Sequence, residues 1–256
     1  MEKKKDMNNY PYNPYGNQGQ QYNPYQQQQP WYGNNSVAGD RATHQSLLSK
    51  VMMMLSFSLV MAGFGMFAGL QLLSAGIGVF LLPAIILEFV VLIALMITSR
   101  KLPHMTMLNL SLLYAFTFIS GLTISTVIAA YAARGAVGAI YEALALTGVL
   151  TVGLGMFAWT TKRNLSFLGP ILFIGLLAVV VASIFSLFFA SGPLSFIIAL
   201  VSVALFSGFI VYDIQRIKFT EDTMSAAILL TISIYLDILN LFLSLLHLLG
   251  GSDDRS

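Results

Sequence analysis

From residue 46 onward the chain alternates long apolar runs with short polar breaks. Seven runs stand out, at about 46–73, 76–98, 105–131, 135–159, 165–190, 194–215 and 224–249. Each holds the ~20 residues that a helix rising ~1.5 Å per residue needs to cross a hydrocarbon core. The breaks carry turn chemistry: Ser74-Ala75-Gly76, Lys101-Leu102-Pro103, Arg134-Gly135, Lys162-Arg163-Asn164 and Ser191-Gly192-Pro193. The first run is too long, and starts too late, for a cleaved signal peptide, so it is expected to remain a span. The pattern predicts an all-α, multi-pass membrane bundle of seven helices.

A different texture precedes the runs. Residues 7–36 are rich in Asn, Gln, Tyr, Pro and Gly, with Tyr-Asn-Pro-Tyr at 12–15 and again at 22–25 and Tyr-Gly-Asn at 15–17 and 32–34. Such a segment lacks the aliphatic residues that offset ordering entropy. The expected division is a disordered low-complexity tail at 1–42 and a transmembrane domain at 43–256.

Composition agrees with a lipid solvent. The chain is 57% hydrophobic and 9% charged, where soluble domains carry about a quarter charged residues. A net charge of +2, with basic residues placed between the apolar runs rather than along a stripe, excludes a nucleic-acid partner. The absence of cysteine excludes disulfides, thiolate metal sites and cysteine nucleophiles. With the N-terminus inside, one side collects Lys3, Lys4, Lys5, Arg41, Lys50, Arg100, Lys101, Lys162, Arg163, Arg216 and Lys218, against Arg134 and Arg255 on the other. By the positive-inside rule the N-terminus is expected in the cytoplasm. Full crossing by all seven runs would put Asp253 and Asp254 outside.

Glycines suggest how helices approach one another. Gly65 and Gly69 in the first run, and Gly148, Gly153 and Gly155 in the fourth, read as close-packing positions within the bundle. A dimer-forming use of Gly65 and Gly69 is the rival reading.

Against this background two carboxylates stand out. Asp213 and Asp237 sit inside the last two apolar runs, and a carboxylate near a helix centre costs about 2.5–3.5 kcal/mol on insertion scales. Two in succession suggest a proton or cation site. In the last run Ser233, Asp237, Asn240, Ser244 and His247 follow at steps of 4, 3, 4 and 3, which form one helical stripe. That face should avoid lipid, so the seventh helix is expected at the centre. Asn240 and the serines read first as hydrogen-bond ties between helices, at about 0.6–2 kcal/mol each. Glu88 lies mid-run behind Pro83 and is balanced between a pathway residue and a structural group. Glu142 and the histidines at 44, 104 and 247 read as structural or interfacial, and the histidine spacing shows no metal-ligand pattern. Tyr212, Arg216 and Arg100 join Asn240 as candidate supporting residues.

Enzyme motifs are missing. Gly-x-Ser-x-Gly, His-Glu-x-x-His, a phosphate loop and a helix–loop–helix calcium loop are all absent from the sequence. An intramembrane aspartyl protease would need Gly-x-Gly-Asp on the second helix. Tyr-Leu-Asp at 235–237 lacks those glycines, so no enzyme and no cofactor are expected.

The residues Phe206-Ser207-Gly208-Phe209-Ile210-Val211-Tyr212-Asp213-Ile214-Gln215-Arg216-Ile217 resemble the sixth-helix motif of the Bax inhibitor-1 (transmembrane Bax inhibitor motif) family. Tyr235-Leu236-Asp237-Ile238-Leu239-Asn240-Leu241-Phe242-Leu243 resembles its seventh-helix motif, and Thr161-Lys162-Arg163-Asn164-Leu165-Ser166-Phe167 its loop between helices four and five. The resemblance runs from about residue 45 to the end. It implies two three-helix layers around a central seventh helix, and a pH-sensitive calcium leak controlled by a hydrogen-bonded pair, Asp213 and Asp237. Calcium is then the permeant ion, passing near the pair, with no resident metal specified. Glu88 matches an acidic second-helix position. Ser99 stands where some members carry a basic latch, with Arg100 and Lys101 beside it. The acidic end, Gly251-Ser252-Asp253-Asp254, resembles bacterial members and implies an inner membrane or the single membrane of a Gram-positive cell. A non-transporting regulator that binds a membrane protease or a stress-response partner is the alternative role.

Pairing the aspartates poses a geometric problem. In a straight hairpin turning near Thr220, Asp213 and Asp237 would differ in depth by roughly 15 Å. Residues 217–228 are therefore expected to run partly along the surface, or to form a separate short helix capped by Thr220.

Overall fold

A computed structural model describes residues 35–188 and 192–251. The tail up to residue 34, with its expected disorder, lies outside the described residues. Seven helices follow: α1 (Asn35–Ser74), α2 (Leu81–Lys101), α3 (Thr106–Ala133), α4 (Val137–Thr160), α5 (Leu168–Phe188), α6 (Gly192–Arg216) and α7 (Met224–Gly250). No strand occurs among the described residues. Each helix contains a stretch of 19 to 29 residues apolar enough to cross a membrane. The protein is a seven-helix, multi-pass membrane bundle.

Helix ends differ from the apolar runs where backbone chemistry intervenes. α1 starts at Asn35, ahead of the residue-42 boundary. The second run was expected from residue 76, but Gly76 takes φ +75°, Gly78–Phe80 form a 3-10 turn, and α2 begins at Leu81. Pro83 then falls in the first turn, where a missing N–H costs no intrahelical bond.

α7 occupies the centre. Of its membrane window 56% is buried, against 6–33% in the other six spans. It packs against α2, α3, α4 and α6, while α2 lies on α3, and α4 and α5 lie on α6. The first three helices and the next three thus form two groups with α7 between them, as the polarity of its stripe requires. Because lipid chains are as apolar as leucine, burial supplies little drive here; close packing and polar contacts hold such helices together.

The glycines of α1 show the closest approach. A Cβ on Gly65 would lie 2.0 Å from the Phe118 carbonyl oxygen, one on Gly69 would lie 2.2 Å from Ser125 Oγ, and one on Gly121 of α3 would lie 2.0 Å from the Ala62 carbonyl oxygen. These contacts lie within the bundle, so the packing reading holds for Gly65 and Gly69. In α4 it fails for two residues. A Cβ on Gly148 or Gly153 would meet nothing within 4 Å, and only Gly155 approaches a neighbour, Ile214 Cδ1 at 3.0 Å.

The α6–α7 connection is not a separate short helix capped by Thr220. α6 runs into a 3-10 turn at Ile217–Phe219, residues 220–223 are non-helical, and Thr223 caps α7 by accepting from the Ala226 N–H at 3.2 Å. This resolves the depth problem. Asp213 stands above Phe219 by three α-helical residues and three 3-10 residues, ~10 Å, while Asp237 stands above Met224 by thirteen α-helical residues, ~20 Å. Extended backbone at Thr220 and Thr223 spans up to ~16 Å from Phe219 to Met224, enough to cover an interhelical gap of ~9 Å and carry the start of α7 ~9 Å further out. The carboxylates then meet at one depth.

Lys50 of α1 pins this connection, its Nζ lying 2.8 Å from Asp222 Oδ1. The hydrogen bond from Lys50 holds the Asp222 carboxyl below its ordinary value. A lowered folded-state value means the contribution is present above the unfolded carboxylate range and fades as pH falls through the folded value. Side-chain exposures of 36% and 17% keep the pair's worth to about 1 kcal/mol or less. Lys50→Met should therefore melt slightly below wild type at neutral pH, and the gap should close below about pH 4. A gap that persisted unchanged at pH 3 would assign the loss to packing of the lysine stem.

Candidate functional site

Asp213 and Asp237 face each other across the α6–α7 interface. They are 5% and 7% exposed, and their carboxyl groups are interacting neighbours, with Ser233 beside them in the same cavity lining. Asp237 Oδ2 is buried without a donor among the described residues. Two ionised carboxylates can only accept. A proton held between them, or an arriving cation, would satisfy that oxygen.

The pair borders a cavity of about 310 Å³ lined by Tyr212, Asp213, Arg216, Ser233, Asp237 and Asn240, with Leu176, Phe206, Phe209 and Leu236 as apolar walls. Three of the four supporting candidates are therefore beside the pair. Arg216, one turn beyond Asp213, brings Nη1 to 3.9 Å from Asp213 Oδ1 while its side chain stays 55% exposed. Arg100 is not in the group: it is exposed at the end of α2, and Ser99 beside it is buried with an unpartnered Oγ. The cation nearest the pair comes from the sixth helix itself. The second helix contributes none in this packing.

Glu88 occupies a different place. It lines a cavity of about 420 Å³ between α2, α3 and α7, and accepts a 2.8 Å hydrogen bond from Thr123 Oγ1. Asn240 borders both this cavity and that of the aspartates. The reading of Asn240 and Ser244 as ties between helices is corrected by their partners. Asn240 Nδ2 donates to the Leu236 carbonyl at 2.7 Å and Ser244 Oγ to the Asn240 carbonyl at 2.7 Å. Both bonds return to α7, as hydroxyl and amide groups commonly do one turn back in apolar surroundings. The Asn240 Oδ1 and the outer face of the stripe are left to the cavities.

Two anchors, buried Gln215 and half-buried Lys218, escaped the sequence reading. Gln215 Oε1 accepts from the Leu165 N–H at 2.7 Å and its Nε2 donates to the Arg163 carbonyl at 2.6 Å, fastening the α4–α5 loop to α6. Lys218, read only as a topology residue, donates to the carbonyls of Ala158 at 2.9 Å and Trp159, capping the end of α4 beside the Trp159 ring. Gln215 had a visible signal, an amide at the last position of an apolar run. Among the described residues no group of three or more His, Asp or Glu gathers as a metal site.

Fold and site together define a polytopic helical membrane protein with a carboxylate pair buried between its last two helices. The family model described as inhibitor of apoptosis-promoting Bax1 matches residues 44–254, and the chain belongs to this Bax inhibitor-1 family. It is 35% identical over 225 residues to a protein of Helicobacter pylori strain J99, covering 86% of this chain and 95% of that one. A Campylobacter jejuni protein is 40% identical over 169 residues, 66% of this chain and 71% of its own length. A Streptococcus pyogenes serotype M1 protein named only as an uncharacterized membrane protein is 32% identical over 168 residues, 63% of this chain and 72% of its own.

Proposed function

We propose that the protein passes cations, calcium foremost, down their gradient, and that the protonation state of the Asp213–Asp237 pair sets the rate. The observation that carries this reading is a buried pair of carboxylates with an unsatisfied oxygen, bordering a cavity between the last three helices of a membrane bundle. Such an arrangement is costly, and groups of this kind inside spans commonly serve ion or proton pathways. Calcium takes six to eight oxygen ligands. Two carboxylates with Ser233 and Asn240 nearby supply at most six oxygens, the low end of that range, which suits passage better than storage.

Control follows from the charge. The two carboxyls titrate as a unit, and loss of their last proton places two negative charges in contact between α6 and α7. Repulsion there favours a packing in which the helices separate, while Arg216 offsets part of it from the exposed end. The pair thus biases two packings of one interface.

The test is reconstitution. Liposomes containing the purified chain and an internal calcium indicator should fill faster than protein-free liposomes when calcium is added outside. A protein that inserts and folds yet passes no calcium, sodium or potassium would overturn the reading and leave the regulator of a membrane protease as the better account.

Orientation belongs to the same proposal: the N-terminus and the loops at 101–105, 161–167 and 220–223 face the cytoplasm of a bacterial cell. A natural sequence without cysteine gives a silent background. Single substitutions Lys101→Cys, Lys162→Cys and Glu221→Cys, all at exposed positions, should resist an impermeant thiol reagent on intact cells and react after lysis. Labelling of Lys162→Cys from outside would reverse the assignment.

A further inference from the structure

The aspartate pair lies three residues from the end of α6 and at the middle of α7, so an ion must still cross the rest of the bundle. A second cavity, of about 550 Å³, lies between α5, α6 and α7 on the side of the pair away from that loop. Its polar lining comes from Ser183, Ser186, Ser195, Ser202, Ser244 and His247. These residues agree in direction: Ser202 lies eleven residues from Asp213 toward the start of α6, and Ser244 seven residues from Asp237 toward the end of α7. At ~1.5 Å per residue they stand ~17 and ~10 Å above the pair. Three residues, Leu176, Phe206 and Asn240, line both this cavity and the one holding the aspartates.

The cavity has room for several waters at ~30 Å³ each. Hydroxyl oxygens can replace part of a hard cation's hydration shell without adding a charge that would trap it. Asn240, with its amide nitrogen committed to Leu236, keeps its oxygen as the polar element of an otherwise apolar neck made by Leu176 and Phe206. Resting on the leak reading above, we infer that the far half of the cation route is this serine-lined cavity, and that Asn240, Phe206 and Leu176 form the constriction between it and the aspartate pair. The cavity beside Glu88 also borders Asn240 and is the competing route.

Accessibility in the full chain reconstituted in liposomes tests this without relying on flux alone. Single cysteines replace Ser202 and Ser244, with Thr126→Cys in the Glu88 cavity and Ser58→Cys as a fully buried reference. The probe is a small cationic methanethiosulfonate added at the face remote from the Arg216 loop. Ser202→Cys and Ser244→Cys should react about tenfold or more faster than Ser58→Cys, with labelling measured by mass, and the adduct should suppress calcium flux by a similar factor, as expected for a plugged pore. In a second variant, Asn240→Leu should lower flux about tenfold while leaving the labelling of Ser202→Cys unchanged, as a closed constriction below a wet cavity requires. Inert cysteines, as in a crevice filled by lipid chains, overturn the inference. So do fast labelling of Thr126→Cys alone, which moves the route to Glu88, and full labelling of Ser202→Cys with flux intact. A wild-type chain with no flux at all rejects the leak itself, and is distinguished from these results because labelling is scored separately.

Discussion

Asp213→Asn and Asp237→Asn should each flatten the pH dependence of calcium flux, leaving a nearly constant leak, high or low. Asparagine keeps the size of the side chain and most of its hydrogen bonding but cannot lose a proton, so the interface loses its titration rather than its packing. A coupling of ~1.4 kcal/mol between protonation and packing corresponds to a tenfold change in the open-to-closed ratio. The mutants should reduce a wild-type response of that size to less than about twofold. The control must be chosen with the structure in view. Asp222, in the loop before α7, is half-buried and ion-paired to Lys50, whereas Glu221 is exposed, so Glu221→Gln should keep the wild-type profile. Full pH response in both aspartate mutants would demote the pair to structural groups.

Gly121→Leu should be the most damaging substitution to the fold. The first atom of any side chain there would stand 2.0 Å from the Ala62 carbonyl oxygen, and a backbone oxygen cannot rotate aside. α1 and α3 would have to separate, which also opens the reciprocal contacts at Gly65 and Gly69. Overpacking typically costs 1–3 kcal/mol, and a backbone clash at a closely packed helix pair belongs at or above ~3 kcal/mol. Gly148→Leu is the matched comparison, since nothing lies within 4 Å of the added carbon. Thermal unfolding in detergent should show a large loss for Gly121→Leu and almost none for Gly148→Leu. Equal melting would mean that the α1–α3 contact is dispensable.

The spans were legible because length and apolarity alone decide whether a helix can cross a bilayer, and the polar stripe of α7 announced its central position. Asp213 and Asp237 were legible for the converse reason: charge inside an apolar run is too costly to be incidental. What sequence could not fix was depth. The offset of the pair depends on the 3-10 turn at Ile217–Phe219 and on extended backbone at Thr220 and Thr223, and a threonine at either position reads equally well as a cap. Facing direction was equally hidden. Arg100 and Ser99 are neighbours on α2, yet one points to solvent and the other is buried. Gly148 and Gly65 look alike in sequence and differ only in whether a partner helix comes near. Gln215 and Lys218 serve carbonyls and an N–H group fifty or more residues away, contacts that no local pattern encodes.

Calcium flux into liposomes carrying the wild-type chain, followed across a pH series with protein-free liposomes beside it, tests the central claim most directly. Flux that rises or falls along a titration curve in the protein-bearing vesicles alone is the expected result. A folded protein whose flux matches the empty vesicles, or does not change with pH, would contradict a leak controlled by the Asp213–Asp237 pair.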